Sequence, residues 1–301
     1  TSGPGLALKG EALGLAMMIE LPLVVVNVQR GGPSTGLPTK TEQSDLMQAM
    51  YGRNGESPVI VIAASTPANC FIYAYQAAKL ALEHMTPVVL LTDGYIANGS
   101  APWKIRKLEE LPEIKTRLVK EGKEDWHPYN RDEITLARDW AVPGTPGLEH
   151  RVGGLEKDAR SGNVSHVPEN HEVMTQIRAE KVKRVQSFIP ELTPEFASEG
   201  DLLIVGWGGT YGSLHTAAKQ LYDEGFRNIG FAHFNYINPL PKNTEEVFRK
   251  FKKVIVCELN AGQFVSILRM NFNREFLQYN KIQGLPFANT ELIEKFKQIV
   301  A

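Results

Sequence analysis

The chain has 301 residues, room for about two domains at ~150 residues each, with 43% hydrophobic and 22% charged residues. This is the composition of a folded globular protein, not of a disordered chain. The formal net charge of −1 excludes a basic field for nucleic acid or a polybasic surface for anionic lipid, and no apolar run reaches the ~18 residues of a membrane span.

The chain opens on Thr1-Ser2-Gly3-Pro4-Gly5, turn chemistry without a methionine. The expectation is that its front end is missing, and no signal peptide is expected. Residues 6–20 read as a helix with Leu6, Leu13 and Met17 on one face. Aliphatic runs over 22–28, 58–63 and 86–91 read as strands, with a helix-sized segment over 67–85. Such alternation predicts a parallel sheet covered on both faces. Over 101–199 the pattern degrades. Residues 104–123 are charge-rich and read as partly helical, and 126–194 carry many Pro, Gly and His residues with weak periodicity. An irregular linker packed on the surface is expected there, and long irregular segments are often functional. From Asp201 the alternation returns: strand 202–205, glycine-rich turn 206–212, helix 214–224 ended by Gly225, strand 229–234, a Pro239-Leu240-Pro241 loop, helix 244–251, strand 253–258 and a helix over 262–272. The fold class is therefore α/β, with a second, smaller α/β unit over 200–301.

The sharpest segment is Gln29-Arg30-Gly31-Gly32-Pro33-Ser34-Thr35-Gly36-Leu37-Pro38-Thr39, directly after the first strand. Ligands of open α/β sheets bind beyond the carboxyl ends of strands. Arg30 stands at that edge, where its planar guanidinium can clamp a carboxylate. Ser34, Thr35 and Thr39 add hydroxyls, and Gly31, Gly32 and Gly36 let backbone N–H groups approach a ligand. The blander alternative is a loop whose arginine pairs with a nearby acid. Ser2 and Gly3, before the first helix, could offer N–H groups to an anion or serve as ordinary capping.

Gly206-Trp207-Gly208-Gly209-Thr210-Tyr211-Gly212 has the spacing G-x-G-x-x-x-G, not the dinucleotide fingerprint. The next strand ends near His233 and Asn235, without the acidic residue that holds a ribose, so a tight strand–helix turn is the better reading. His150, His166 and His171, with Glu149 and Glu156, match no zinc spacing, and no metal site is expected. The segment from Glu258 to Gln263 is either another carboxyl-end loop or a domain interface. Cys70 and Cys257 read as structural thiols in a reducing cytoplasm. Two cysteines cannot hold a [4Fe–4S] cluster alone, which takes four thiolates.

Thr1 to Gly5, the arginine loop and Gln43-Ser44-Asp45-Leu46 together resemble the alpha subunit of 2-oxoacid:ferredoxin oxidoreductases, closest to the 2-oxoglutarate type (2-oxoglutarate synthase). Gly147-Leu148-Glu149-His150, Asn170-His171, Arg178-Ala179-Glu180-Lys181 and Glu258-Leu259-Asn260-Ala261-Gly262-Gln263 extend the resemblance over nearly the whole chain. It implies a pyrimidine-type thiamine-binding domain over 1–100, the linker over 101–199, and a transketolase C-terminal-like domain over 200–301. It further implies oxidative decarboxylation of a 2-oxoacid, with thiamine diphosphate as electron sink, coenzyme A as acyl acceptor and ferredoxin as electron acceptor. A separate beta subunit would supply the diphosphate and Mg²⁺ site and the iron–sulfur cluster. By resemblance Arg30 and Thr35 bind the substrate. The family's Tyr-Pro-Ile-Thr-Pro segment and the glutamate that activates the aminopyrimidine ring lie upstream of the arginine loop and have no counterpart here, which also fits a missing front end. The rival readings are the same chemistry on pyruvate or a branched-chain 2-oxoacid, a non-catalytic assembly subunit, and a nicotinamide enzyme built on Gly206–Gly212.

Overall fold

The computed structural model describes residues 1–121 and 125–300. Helices α1 (Gly3–Leu8) and α2 (Gly10–Met18) precede strand β1 (Leu23–Gln29). Then come α3 (Leu46–Tyr51), β2 (Ile60–Ala63), α4 (Cys70–His84), β3 (Pro87–Asp93) and α5 (Gly94–Asn98). Short strands β4 (Leu118–Val119) and β5 (Trp140–Ala141) lead to a long helix, α6 (Pro168–Arg184). The rear half runs β6 (Gly200–Trp207), α7 (Tyr211–Asp223), β7 (Ile229–Phe234), β8 (Tyr236–Asn238), α8 (Thr244–Arg249), β9 (Phe251–Glu258), α9 (Gln263–Asn271), β10 (Leu277–Asn280) and α10 (Asn289–Val300).

The one helix expected over 6–20 is two. The break falls at Lys9, beside Gly10, in a stretch whose glycines weaken helix propensity. Leu6, Leu13 and Met17 are nonetheless all buried.

The first sheet has the order β1-β3-β2-β8 and the second β10-β9-β6-β7. The named pairs are parallel apart from β2 with β8, which is antiparallel. The continuous aliphatic runs β2 and β3 are buried at every position and central, while β1 is the outer strand. Thr1 lies along its edge: Val28 N donates to Thr1 O at 2.8 Å, and the Thr1 amino group donates to Val26 O at 2.7 Å. Strand β8 is absent from the sequence reading. It is three residues long and sits just before Pro239, too short to show a period.

Side-chain alternation divides the interior. Val61, Ala63, Val89 and Leu91 share one core with Leu203, Val205, Trp207 and Val256 of the second sheet. Their neighbours Ile60, Ile62, Val88 and Leu90 face Leu80 of α4 and Val182 of α6. On the far side of the second sheet, Leu202, Ile204, Ile255 and Cys257 pack with Leu221 of α7 and Phe296 of α10. The two sheets thus cover each other through one continuous core.

The segment read as an irregular linker contains α6, a 17-residue helix. Among the described residues of 104–123 there is a 3-10 turn, Leu108–Glu110, and strand β4; Gly122 and Lys123, at the end of that expected part-helical stretch, lie outside the described residues. Between β3 and α6, Val119, Ala141 and Leu148 form a small satellite cluster.

Candidate functional site

A cavity of about 720 Å³ opens beyond the carboxyl end of β1, between the arginine loop, α1, residues 42–48 and the entry to α9. Arg30, Gly3, Gly32 and Ser34 all line it. Ser2, Gly31 and Thr35 are not part of its wall, for local reasons. Gly31 is buried and closes the base of the loop: its N–H donates to Lys40 O at 2.9 Å and its carbonyl accepts from Leu37 N at 2.8 Å. Thr35 is carried on the exposed tip. The tip turns at Gly36, φ +46°, where a Cβ would sit 1.9 Å from Gly31 O, so only glycine closes it. Ser2 precedes α1, where its carbonyl accepts from Leu6 N and its side chain makes no capping bond.

Arg30 follows the last residue of β1 and is partly buried. Its Nε is buried and without a hydrogen-bond partner, and among the described residues no acid pairs with its guanidinium. The blander sequence reading, an arginine paired with a nearby acid, does not hold. The carboxylates on the same wall have other partners. Asp45 Oδ2 accepts from Asn27 Nδ2 at 3.0 Å and its Oδ1 lies 2.8 Å from Ser44 Oγ; Glu42 Oε1 accepts from Gly284 N at 3.2 Å. A partly buried cation without a counter-charge calls for an anion from outside the chain.

The segment that follows the loop is pinned to the second sheet. Gln43 is fully buried. Its N–H donates to Leu259 O and its carbonyl accepts from Asn260 Nδ2. Its side-chain Oε1 accepts from Leu259 N at 2.9 Å and its Nε2 donates to Trp207 O at 2.7 Å. The segment from Glu258 to Gln263 is therefore both a carboxyl-end loop and the interface. Glu258 is buried and accepts from Phe264 N (2.7 Å), Val265 N (3.0 Å) and Trp207 Nε1 (3.1 Å), which fixes the start of α9. Burial pushes its carboxyl pKa up against those hydrogen bonds.

Glu42, Ser44, Asp45, Gln48, Asn260, Ala261, Gln263 and Ile282 also line the cavity, and the sequence reading assigned none of them to it. Ser44, Asp45, Asn260 and Gln263 lie in segments that carried the family resemblance; Ile282 left no signal at all. The glycine-rich turn after β6 packs against the first sheet instead of a nucleotide: a Cβ on Gly209 would lie 2.0 Å from Asp93 Oδ2. His171 Nδ1 lies 2.8 Å from Glu156 Oε2, and His150 Nδ1 lies 2.8 Å from Leu148 O. Neither is part of the cavity wall. Among the described residues no helix is long and apolar enough to cross a membrane.

A family model described as "Pyruvate flavodoxin/ferredoxin oxidoreductase, thiamine diP-bdg" matches residues 1–168. The 2-oxoglutarate oxidoreductase subunit KorA of Mycobacterium tuberculosis is 49% identical over 97% of this chain and 44% of its own length. The 2-oxoglutarate synthase subunit KorA of Methanothermobacter marburgensis is 32% identical over 87% of this chain and 69% of its own. The solved structure of 2-oxoglutarate:ferredoxin oxidoreductase from Magnetococcus marinus, with 2-oxoglutarate, coenzyme A and succinyl-CoA bound, superposes with a TM-score of 0.93 at 35% identity, over 100% of this chain and 52% of that one. The chain spans about half the length of the Mycobacterium and Magnetococcus proteins. It belongs to the pyruvate flavodoxin/ferredoxin oxidoreductase thiamine diphosphate-binding family, among the alpha subunits of the 2-oxoacid:ferredoxin oxidoreductases.

Proposed function

We propose that this chain is the substrate-binding part of an alpha subunit that oxidatively decarboxylates 2-oxoglutarate to its acyl-CoA, with electrons passed to ferredoxin. The observation that carries the reading is the unpartnered, partly buried Arg30 guanidinium at the wall of the cavity. Its fork takes the substrate carboxylate in bidentate fashion, and the Ser34 hydroxyl on the same wall is available to a substrate oxygen. Thr35, which the family resemblance assigns to the substrate, is on the exposed tip of the same loop. The 2-oxoglutarate assignment, over pyruvate or a branched-chain acid, is supported by the substrate in the names of the Mycobacterium and Methanothermobacter relatives.

The same wall does not fit a diphosphate. It sets one guanidinium beside two carboxylates, Glu42 and Asp45, whose oxygens already accept hydrogen bonds. We therefore assign the diphosphate, its Mg²⁺ and the [4Fe–4S] cluster to a partner beta subunit. This chain contributes residues 1–100 as the pyrimidine-type domain, 101–199 as the connecting segment and 200–301 as the transketolase C-terminal-like domain. Thiamine diphosphate, when bound, supplies the electron sink for decarboxylation.

The test is steady-state kinetics of the complete enzyme on a 2-oxoacid panel with a viologen acceptor. Hydrogen bonds to charged groups contribute about 1.5–3 kcal/mol each. Arg30→Lys, which keeps the charge and loses the fork, should lower kcat/KM for 2-oxoglutarate by roughly ten- to a hundredfold, and Arg30→Ala by more. The melting temperature should barely change in either. Near-normal kcat/KM in Arg30→Ala would overturn the substrate-clamp role.

A further inference from the structure

Gln263 begins α9, on the second sheet's side of the molecule, yet both ends of its amide engage the flank of the arginine loop. Its Oε1 accepts from Met47 N at 2.9 Å and its Nε2 donates to Ser44 O at 2.8 Å. Met47 is in the first turn of α3, whose N–H groups need partners from outside the helix. Asp45, in the capping position, makes no side-chain cap. Gln263 fills that place from another element. Released from capping, Asp45 accepts from Asn27 and faces Ser44, whose Oγ lies 2.8 Å from both Asp45 Oδ1 and the Arg30 carbonyl oxygen. A relay of hydrogen bonds thus runs from Gln263 through Ser44 to the backbone of Arg30. All four residues, Gln263, Ser44, Asp45 and Arg30, line the cavity.

We propose that Gln263 is a positioning residue for Arg30: it holds Ser44 and the start of α3 so that the Ser44 hydroxyl fixes the Arg30 backbone at the cavity wall, and it thereby sets affinity for the substrate carboxylate. The inference rests on the reading of Arg30 as the carboxylate clamp. A purely architectural role for Gln263 is already filled, because Gln43 alone ties the two halves together with four hydrogen bonds. What Gln263 adds is aim, and misplacement of a clamp by about an ångström weakens substrate positioning markedly.

The experiment uses the complete enzyme with its partner subunits. Gln263→Met keeps the volume and removes both hydrogen bonds; Ser44→Ala removes the last link with little change of shape. Each is made alone and in an Arg30→Ala background. A lost neutral hydrogen bond of about 0.5–1.5 kcal/mol corresponds to a roughly two- to tenfold change. Each single variant should raise KM for the 2-oxoacid by that factor, with kcat and KM for coenzyme A within about twofold. In the Arg30→Ala background the added effect should vanish, since residues acting through one another are not additive. An equal loss in both backgrounds, or a fall in kcat at unchanged KM, overturns the proposal. Should Gln263→Met melt early, Ser44→Ala alone decides the matter by the same criteria. If Arg30→Ala by itself leaves kcat/KM unchanged, the clamp reading falls first and this proposal falls with it.

Discussion

Single positions in this chain have meanings that depend on what faces them. Arg30 is informative because no acid among the described residues pairs with it, while Arg178, on the buried face of α6, donates to Glu156 at 2.9 and 3.2 Å and is structural. Gly209 shows the same dependence. It belongs to a glycine cluster that suggests nucleotide binding, but its missing Cβ makes room for the buried Asp93 carboxylate. That carboxylate accepts from Tyr95 N (2.9 Å), Ile96 N (3.1 Å) and Thr41 Oγ1 (3.2 Å), and burial still pushes its pKa up. Gly209→Ala must therefore displace either the turn after β6 or the acid that caps α5. It should lower stability by about 1–3 kcal/mol, the usual range for overpacking, as a lower urea midpoint at unchanged slope. Wild-type stability in this variant would mean that the interface yields at no cost.

At the scale of elements, α6 explains its own illegibility. Its buried face is Met174, Arg178, Lys181 and Val182, spaced as a helix stripe should be. Half of that stripe is cationic, so no apolar period appears in the sequence. Lys181, 1% exposed, bonds Glu20, which is equally buried, and donates to Met85 O at 2.9 Å. Arg131 adds a bidentate pair to Glu20 at 2.5 and 2.7 Å. Helices α2, α4 and α6 and the connecting segment thus meet at one carboxylate. Burial alone would raise the Glu20 pKa, but Lys181 and Arg131 outweigh it and hold it at about 2, below its ordinary 4.5. A carboxyl depressed on folding stabilises the fold above its unfolded value, and that stability is lost as pH falls through the folded one. The cluster should therefore weaken between about pH 4.5 and 2. Glu20→Gln leaves two buried cations without their acid and should cost about 3–5 kcal/mol at neutral pH. The same substitution should flatten the acid limb of a stability–pH curve. A cost below about 1 kcal/mol, the level of an exposed pair, would show that the cations find other partners.

Across the whole molecule, the rear half of the chain completes the front. Strand β8 joins the first sheet, with Ala63 N donating to Asn235 O at 2.7 Å and Asn238 Nδ2 donating to Val59 O at 2.7 Å. One core runs between the sheets. Residues 97–110 form a continuous exposed stretch, including Lys104, Arg106 and Lys107. Brief trypsin treatment should cut at these three first and spare Arg178 and Lys181 of α6, both of which are buried. The two fragments should still elute together on size exclusion, because the front one lacks β8 and half of its core. Early cleavage within α6, or separation of the fragments without denaturant, would contradict this account of the assembly.

Some of this was written in local pattern and some was not. The unbroken aliphatic runs marked β2 and β3 as buried parallel strands, because central strands of such a sheet meet only apolar neighbours. The loop after β1 marked Arg30, because a cation in a glycine- and hydroxyl-rich turn at a strand's carboxyl end has a chemical reading without any partner being known. The break between α1 and α2, strand β8 and helix α6 were not legible. The strand and the long helix draw their stability from distant residues: the edge of β2, the Glu20 carboxylate and the Glu156 carboxylate. The cavity itself was decided only by tertiary structure. Gln263 and Ile282 reach it from more than two hundred residues away along the chain, and a contact across that separation leaves no period or spacing in the sequence to be read.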